Sequence, residues 1–305
     1  MGLRIAVIGA GGVGGYFGGR LAAAGHEVGF VARGGHLAAL RRDGLVVTSV
    51  TGDFTVSPVR ATEDPAELGE ADFVLLAVKT WQVAPAIAAA RPLIGPGTAV
   101  VTTQNGVDAP RQVADVIGEE AVLPGAVEVI AFLDGPGRIR QLGGGKLTFA
   151  EWDGRATSRV AALEQALREA GLTAEVSEDV WAALWTKFLK LTPLGVIGTV
   201  TDAPFGVLRA RPGIRQLVSD AMTEIEQVAR AKGIRLADDV VASGIEFFDQ
   251  VPADGTTSLH RDIRAGRPSE LEAWTGSVVR LGREAGTPTP VNSLLYELAS
   301  ARAQR

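Results

Sequence analysis

Lys187, Glu270, Ser258, Lys79 and Asn105 are the polar side chains whose positions along this chain could put them to chemical use. On the helix predicted from about Glu178, the residues Val180, Trp181, Leu184, Trp185 and Phe188 form one apolar arc. At ~100° per residue Lys187 falls on the margin of that arc, whereas Lys190 points nearly opposite its centre and is expected in solvent. A partly desolvated lysine has a lowered pKa and can pass a proton near neutrality, the task of a general acid. The same position also suits a lysine that lays its stem over apolar surface and keeps its head in water, so helix geometry alone leaves both readings open. Lys79 and Asn105 each fall just past a strand predicted over 72–78 and 99–103, at the sheet edge where ligands of open α/β sheets bind. A strand-ending lysine can be merely solvated and Asn105-Gly106 is first a turn signal, yet both converge on one edge. Ser258, His260, Asp262 and Glu270 form a second polar cluster, with His260 a minor candidate for a base. Ser269 and Glu272 have the spacing of a helix cap and its reciprocal partner, which leaves Glu270 free to serve a site.

The elements that must position these groups begin with an apolar run over 3–8 that breaks into Gly9-Ala10-Gly11-Gly12-Val13-Gly14 and then a small-residue helix. In a nucleotide-binding turn of this form the first glycine permits the tight turn, the second lets backbone approach a pyrophosphate, and the third lets helix and strand pack closely. The phosphates then meet the helix N-terminus. With 38 glycines in the chain a chance match is easy. The preceding strand and a second strand over 27–32 supply the context the pattern requires, so Gly9, Ala10, Gly11, Gly12, Val13 and Gly14 are expected to hold a dinucleotide. An NAD-selective site usually carries a carboxylate at the tip of the second strand, whereas an arginine accommodates a 2′-phosphate. Here the tip reads Ala32-Arg33-Gly34-Gly35, which points to NADPH rather than NADH.

Composition narrows the chemistry. The chain has 305 residues with 30 basic and 35 acidic side chains, a net charge of −5 that offers no electrostatic footprint for nucleic acid or an anionic membrane. There are no cysteines and only three histidines, which excludes thiolate nucleophiles and disulfides and argues against a metal centre. No signal peptide or membrane-length apolar run is visible, so a cytoplasmic location is expected. The first half alternates short apolar runs with helical patterns, and continuous apolarity in the runs indicates a parallel sheet covered on both faces. Runs over 45–50 and 54–59 read as a hairpin insertion, and further strands are expected over 126–132, 138–142 and 146–150, the last two joined by Gly143-Gly144-Gly145. From about Glu178 the pattern is helical with breaks, one of them at Thr192-Pro193. The expected fold class is α/β, an N-terminal Rossmann-type doubly wound parallel sheet (1–175) followed by an all-α domain (176–305). A helical second domain can pair with its copy; a homodimer is compatible, though no exposed stripe is long enough to demand one.

With these residues placed, the chain resembles the ketopantoate reductase family (2-dehydropantoate 2-reductases) over nearly its whole length. The resemblance is carried by residues 9–14, Val78-Lys79-Thr80-Trp81-Gln82, Gln104-Asn105-Gly106, Trp185-Thr186-Lys187-Phe188, and residues 257–263, 266–270 and 278–290. It implies that Lys187 protonates the developing alkoxide and that Glu270 lies near it and the nicotinamide ribose. It also implies that Ser258 binds substrate, that Asn105 touches cofactor and substrate, that Lys79 assists at the cofactor, and that the Ala131 backbone borders the cofactor. The implied function is reduction of a 2-oxo acid by NADPH, 2-dehydropantoate to pantoate, with no metal.

The chain departs from the family pattern in its substrate half. Leu191 and Gly195 stand one and two turns after the lysine where family members carry asparagines, Gly255 replaces another before the serine, and Trp274-Thr275-Gly276 replaces an Ile-Asn-Gly-like segment. A pocket built to pair a hydroxyl discriminates strongly for it, and an apolar one does not. These departures leave two alternatives: a reductase of the same family acting on a more apolar carbonyl compound, and a non-catalytic NADP(H)-binding sensor.

Overall fold

A computed structural model describes residues 2–304 of the chain, which divides into two compact units. The first comprises Met1–Gln104 and Ala109–Val180, the second Asn105–Asp108 and Trp181–Arg305.

Unit 1 begins with β1 (Arg4–Ile8), α1 (Gly12–Ala23), β2 (Glu27–Val31), α2 (Gly34–Asp43), β3 (Leu45–Ser49), β4 (Phe54–Val56) and β5 (Arg60–Thr62). It continues with β6 (Phe73–Leu76), α3 (Val83–Ala89), β7 (Ala99–Thr102), α4 (Ala109–Ile117), β8 (Val122–Leu123), β9 (Gly125–Leu133), β10 (Arg138–Phe149), α5 (Ser158–Glu169) and β11 (Thr173–Val176). Strands β5-β2-β1-β6-β7-β8 form a six-stranded sheet in that order, every pairing parallel. Because side chains alternate across a strand, Ile5, Val7, Phe73 and Leu75 face one core with Tyr16, Phe17 and Leu21 of α1. Ala6, Ile8, Val74 and Leu76 face the other with Val83, Ile87 and Val113 of α3 and α4. Both faces are covered, which is why these strands read as continuous apolar runs.

The second sheet of unit 1 corrects two readings. The residues over 138–149 are one strand, β10, paired antiparallel with β9 along its length, and Gly143-Gly144-Gly145 is no turn. Register shifts between Gln141 and Gly143 and between Gly144 and Lys146 mark bulges, the role that interior strand glycines commonly take. The β3–β4 hairpin forms as expected, with Leu45 opposite Val56, and is joined through β3 to β10, so it extends this sheet. Its second arm ends at Val56, and the chain runs on into β5 of the other sheet. Helix α1 touches both sheets, and its glycines make this possible. Cβ atoms on Gly14 and Gly18 would stand 2.9 and 2.7 Å from Val7, and one on Gly15 would stand 2.7 Å from Ile139.

Unit 2 is helical: α6 (Val180–Thr201), α7 (Phe205–Arg209), α8 (Pro212–Ala231), α9 (Val240–Gln250), α10 (Ser258–Arg264), α11 (Ser277–Glu284) and α12 (Pro290–Ala303). The expected break at Thr192-Pro193 does not occur; Pro193 lies inside α6. Proline removes one N–H from the helical ladder, but Leu189, Leu194, Val196 and Ile197 around it are essentially inaccessible to solvent. Tertiary burial of this kind, rather than local propensity, decides such a segment. Arg211 caps α8 with Pro212 at its first turn, as the sequence signal requires. Among the described residues no helix is long and apolar enough to cross a membrane.

Candidate active site and dinucleotide turn

Unit 1 places the glycine turn between β1 and α1, with Gly9 at φ +96°, a conformation that favours glycine. A Cβ on Gly12 would lie 2.3 Å from the Ala131 carbonyl oxygen and 2.7 Å from the Phe132 Cα, both backbone of β9. Ala131 is thereby brought against the turn. Gly11, the helix N-cap, has no atom within 4 Å of where its Cβ would stand. The turn is therefore closed by backbone on one side and open on the other, with the N-terminus of the 12-residue α1 facing out, an arrangement that fits a pyrophosphate.

Arg33 caps α2 at the tip of β2, largely exposed. The tip of β2 carries no carboxylate of its own, but Glu63, directly after β5, stands 3.9 Å from the Arg33 Nε. Parallel pairing of β2 with β5 brings it there, so no signal in the β2 segment could have revealed it. With the two side chains 78% and 66% exposed, the pair is worth little in itself. Lys79 is half-buried just beyond β6. Gln104, buried at the end of β7, donates from Nε2 to the carbonyls of Leu76 and Val78 at 2.7 and 3.0 Å and fixes that sheet edge.

Unit 2 brings three expected residues together although they are far apart in sequence. Lys187 Nζ, half-buried on α6, donates to Asn105 Oδ1 at 3.0 Å, and Asn105 Nδ2 makes a long contact of 3.5 Å with Glu270 Oε2. An ammonium only donates and a carboxylate only accepts, so these partners fix which way the Asn105 amide faces. Glu270 is buried, 6% exposed, which makes a paired carboxylate necessary there. The neighbouring residues 106–108 set the position of Asn105. Gly106 adopts φ +91°, and its Cβ would stand 2.7 Å from the Ala273 carbonyl. Asp108 accepts from Ser277 Oγ and from Arg280 at 2.6 Å each, pinning the segment to α11. Lys190 is not the solvated residue expected from the helical wheel; it is half-buried, 6.0 Å from the Phe247 ring centroid on α9.

The segment from Glu270 also departs from expectation. Residues Glu272–Gly276 form a π-helical turn, with the Gly276 N–H bonded to the Leu271 carbonyl at 3.1 Å, and Glu272 accepts from the Tyr296 hydroxyl instead of closing a capping box. Insertions of this kind recur at functional sites. Trp274, within that turn and 3% exposed, packs on α6: a Cβ on Gly195 would stand 2.7 Å from Trp274 Cζ3 and 3.3 Å from Leu259. Two of the departures noted in the sequence, Gly195 and Trp274, are thus one packing arrangement. Ser258 is the half-buried first residue of α10. Its helix is anchored by His260, 2% exposed, whose Nε2 lies 2.9 Å from Asp202 Oδ1. That bond, with a further contribution from Arg302 at 2.8 Å, holds the Asp202 carboxyl below the usual carboxylate range. Among the described residues no group of three or more His, Cys, Asp or Glu could hold a metal ion.

Two family descriptions match the chain: ketopantoate reductase PanE/ApbA over residues 5–154 and ketopantoate reductase PanE/ApbA C terminal over residues 179–303. A 2-dehydropantoate 2-reductase of Mesorhizobium japonicum is 32% identical over 98% of this chain and 99% of its own length. The crystal structure of a PanE/ApbA family ketopantoate reductase from Ralstonia eutropha superposes with a TM-score of 0.91 at 33% identity, covering 99% of each chain. A D-mandelate dehydrogenase, solved with NADH and anilino(oxo)acetate, shares the fold with a TM-score of 0.89 at 24% identity over 99% of both chains.

Proposed function

From the premise that the chain belongs to the ketopantoate reductase PanE/ApbA family and is an NAD(P)-dependent oxidoreductase, we propose that it reduces a 2-oxo acid with NADPH. The leading substrate is 2-dehydropantoate, the compound named for its relatives, which yields pantoate. The observation that carries this reading is the Lys187–Asn105–Glu270 network.

Gly9, Ala10, Gly11, Gly12, Val13 and Gly14, the Ala131 backbone, Arg33 and Lys79 are the groups of unit 1 that would hold the dinucleotide. When bound, it supplies a hydride to the carbonyl carbon. Lys187 then gives the Nζ proton to the carbonyl oxygen, and its charge opposes the negative charge growing there. Asn105 keeps the ammonium aimed by accepting one of its protons. Glu270 holds the other end of the Asn105 amide and so helps to orient Lys187. Ser258 would bond the substrate carboxylate. Arg33 attracts a 2′-phosphate, while Glu63 beside it opposes one, so NADPH is the expected but not the exclusive cofactor.

A second reading concerns the substrate alone. The contact of Trp274 with Gly195 sets an indole against a position where family members carry an asparagine, one residue from the Ala273 carbonyl that backs Gly106. This favours a carbonyl compound with a bulkier or more apolar group than that of ketopantoate. The sensor reading is disfavoured, because a protein that only bound the dinucleotide would have no need of a buried carboxylate linked to a lysine. NADPH oxidation measured with ketopantoate and a panel of 2-oxo acids, for wild type and Lys187→Ala, decides the matter. Turnover with at least one of them that is lost in Lys187→Ala supports the proposal, and tight NADPH binding with no oxidation in any case overturns it.

A further inference from the structure

His36 is the third residue of α2, and its imidazole is held between two backbone groups. Nε2 lies 2.8 Å from the Ala10 carbonyl oxygen, and Nδ1 lies 2.9 Å from the Gly137 nitrogen in the turn between β9 and β10. A backbone N–H can only donate, so Nδ1 must be the unprotonated nitrogen. The proton therefore sits on Nε2 and is donated to Ala10. Both partners select one neutral tautomer. Burial pushes the imidazole below its ordinary pKa, against the opposite pull of the Ala10 carbonyl.

Ala10 is the second residue of the glycine turn. In a trans peptide the C=O and the adjoining N–H point in opposite directions, so a bond that draws the Ala10 carbonyl towards His36 turns the Gly11 N–H the other way. Gly11 borders the open side of the turn, and its own carbonyl already accepts from Gly15 at 2.7 Å in the first round of α1. The 10–11 peptide stands outside that ladder and needs another group to fix its plane. Through Gly137 the same imidazole holds the β9–β10 connection, and β9 supplies the Ala131 backbone that closes on Gly12. One side chain thus ties together the start of α2, just past Arg33, the turn and the wall behind it.

We propose that His36 is a positioning residue for dinucleotide binding, which sets the Ala10–Gly11 peptide plane so that the Gly11 N–H faces the pyrophosphate. The proposal rests on the reading of residues 9–14 as a dinucleotide site. Its test uses side chains that split the two bonds: Gln places an amide donor near the Nε2 position and can reach Ala10, whereas Asn places an acceptor near the Nδ1 position and can reach only Gly137. NADPH is titrated calorimetrically into wild type, His36→Ala, His36→Gln, His36→Asn and, as a control on the turn itself, Gly12→Ala, each checked by thermal melting.

Loss of a single orienting hydrogen bond predicts about tenfold weaker NADPH binding in His36→Ala, with kcat at saturating cofactor and KM for the oxo acid unchanged. His36→Gln restores binding to within about twofold of wild type, and His36→Asn does not. Should His36→Ala melt below the assay temperature, the contrast between Gln and Asn decides. Wild-type affinity in His36→Ala alongside lost affinity in Gly12→Ala overturns the role of His36 alone, as does equal binding by the Gln and Asn variants. Failure of the wild-type chain to bind NADPH or NADH overturns the dinucleotide reading and this proposal with it.

Discussion

In unit 1 the groups that would hold a dinucleotide are mainly backbone, and the turn is shaped by side chains that are missing. Gly12 gives way to the Ala131 carbonyl, Gly14 to the Gly9 carbonyl and Val7, and the peptide planes are set by hydrogen bonds such as that from His36 to Ala10. In unit 2 the proposed chemistry would rest on side chains, Lys187, Asn105 and Glu270, each delivered by a different stretch of chain and aligned by hydrogen bonds between them. The first construction would hold a ligand by its phosphates and leaves no room for a Cβ at Gly12 or Gly14. The second depends on each polar group keeping its partner. A fold that separates binding from chemistry in this way can alter its substrate pocket without disturbing its cofactor turn.

The contrast can be broken most forcefully at Gly12. A Cβ 2.3 Å from one backbone oxygen and 2.7 Å from a backbone Cα cannot be relieved by a rotamer change, so Gly12→Ala is expected to cost about 3 kcal/mol of NADPH affinity, ~100-fold by calorimetry. Asn105→Ala probes the other construction. It removes an acceptor of Lys187 and a neighbour of the buried Glu270 without adding bulk, and is expected to lower kcat about 10- to 100-fold. Gly195→Ala should destabilise the chain by about 1–3 kcal/mol in a denaturant titration, because Trp274 must move. Trp274→Leu in the same chain should recover most of that loss, and additive effects would show that the two residues do not share one space. The smallest change concerns Arg33: Arg33→Ala should lower the preference for NADPH over NADH by about tenfold, and Glu63→Gln should raise it by about twofold, read from kcat/KM with each cofactor.

The same contrast explains what could be read in the sequence. A turn that demands glycine writes that demand into residue types at fixed spacing, so residues 9–14 and their flanking strands were visible, as was the parallel sheet from its continuous apolar runs. Lys187 was ambiguous because helix periodicity places a side chain on a margin without saying what it meets. Its partners Asn105 and Glu270 lie 82 and 165 residues from Lys187 and Asn105 respectively, and pairings over such separations leave no local pattern. Glu63 and His36 escaped for a related reason: one arrives through a three-residue parallel strand, the other acts on backbone atoms whose orientation no sequence motif encodes. Where local signals misled, as at Pro193 and at Gly143-Gly144-Gly145, tertiary packing and strand pairing outweighed the usual meaning of proline and glycine.

In the proposed reaction hydride reaches a carbonyl carbon while Lys187 supplies the proton. A single-turnover reaction with NADPH deuterated at both C4 positions, run with whichever 2-oxo acid the steady-state panel selects, tests it directly. The expected product is a 2-hydroxy acid carrying one deuterium at C2, formed at least about 100-fold more slowly by Lys187→Ala although the cofactor still binds. A product without deuterium, or the same rate with and without the Lys187 ammonium, would contradict it.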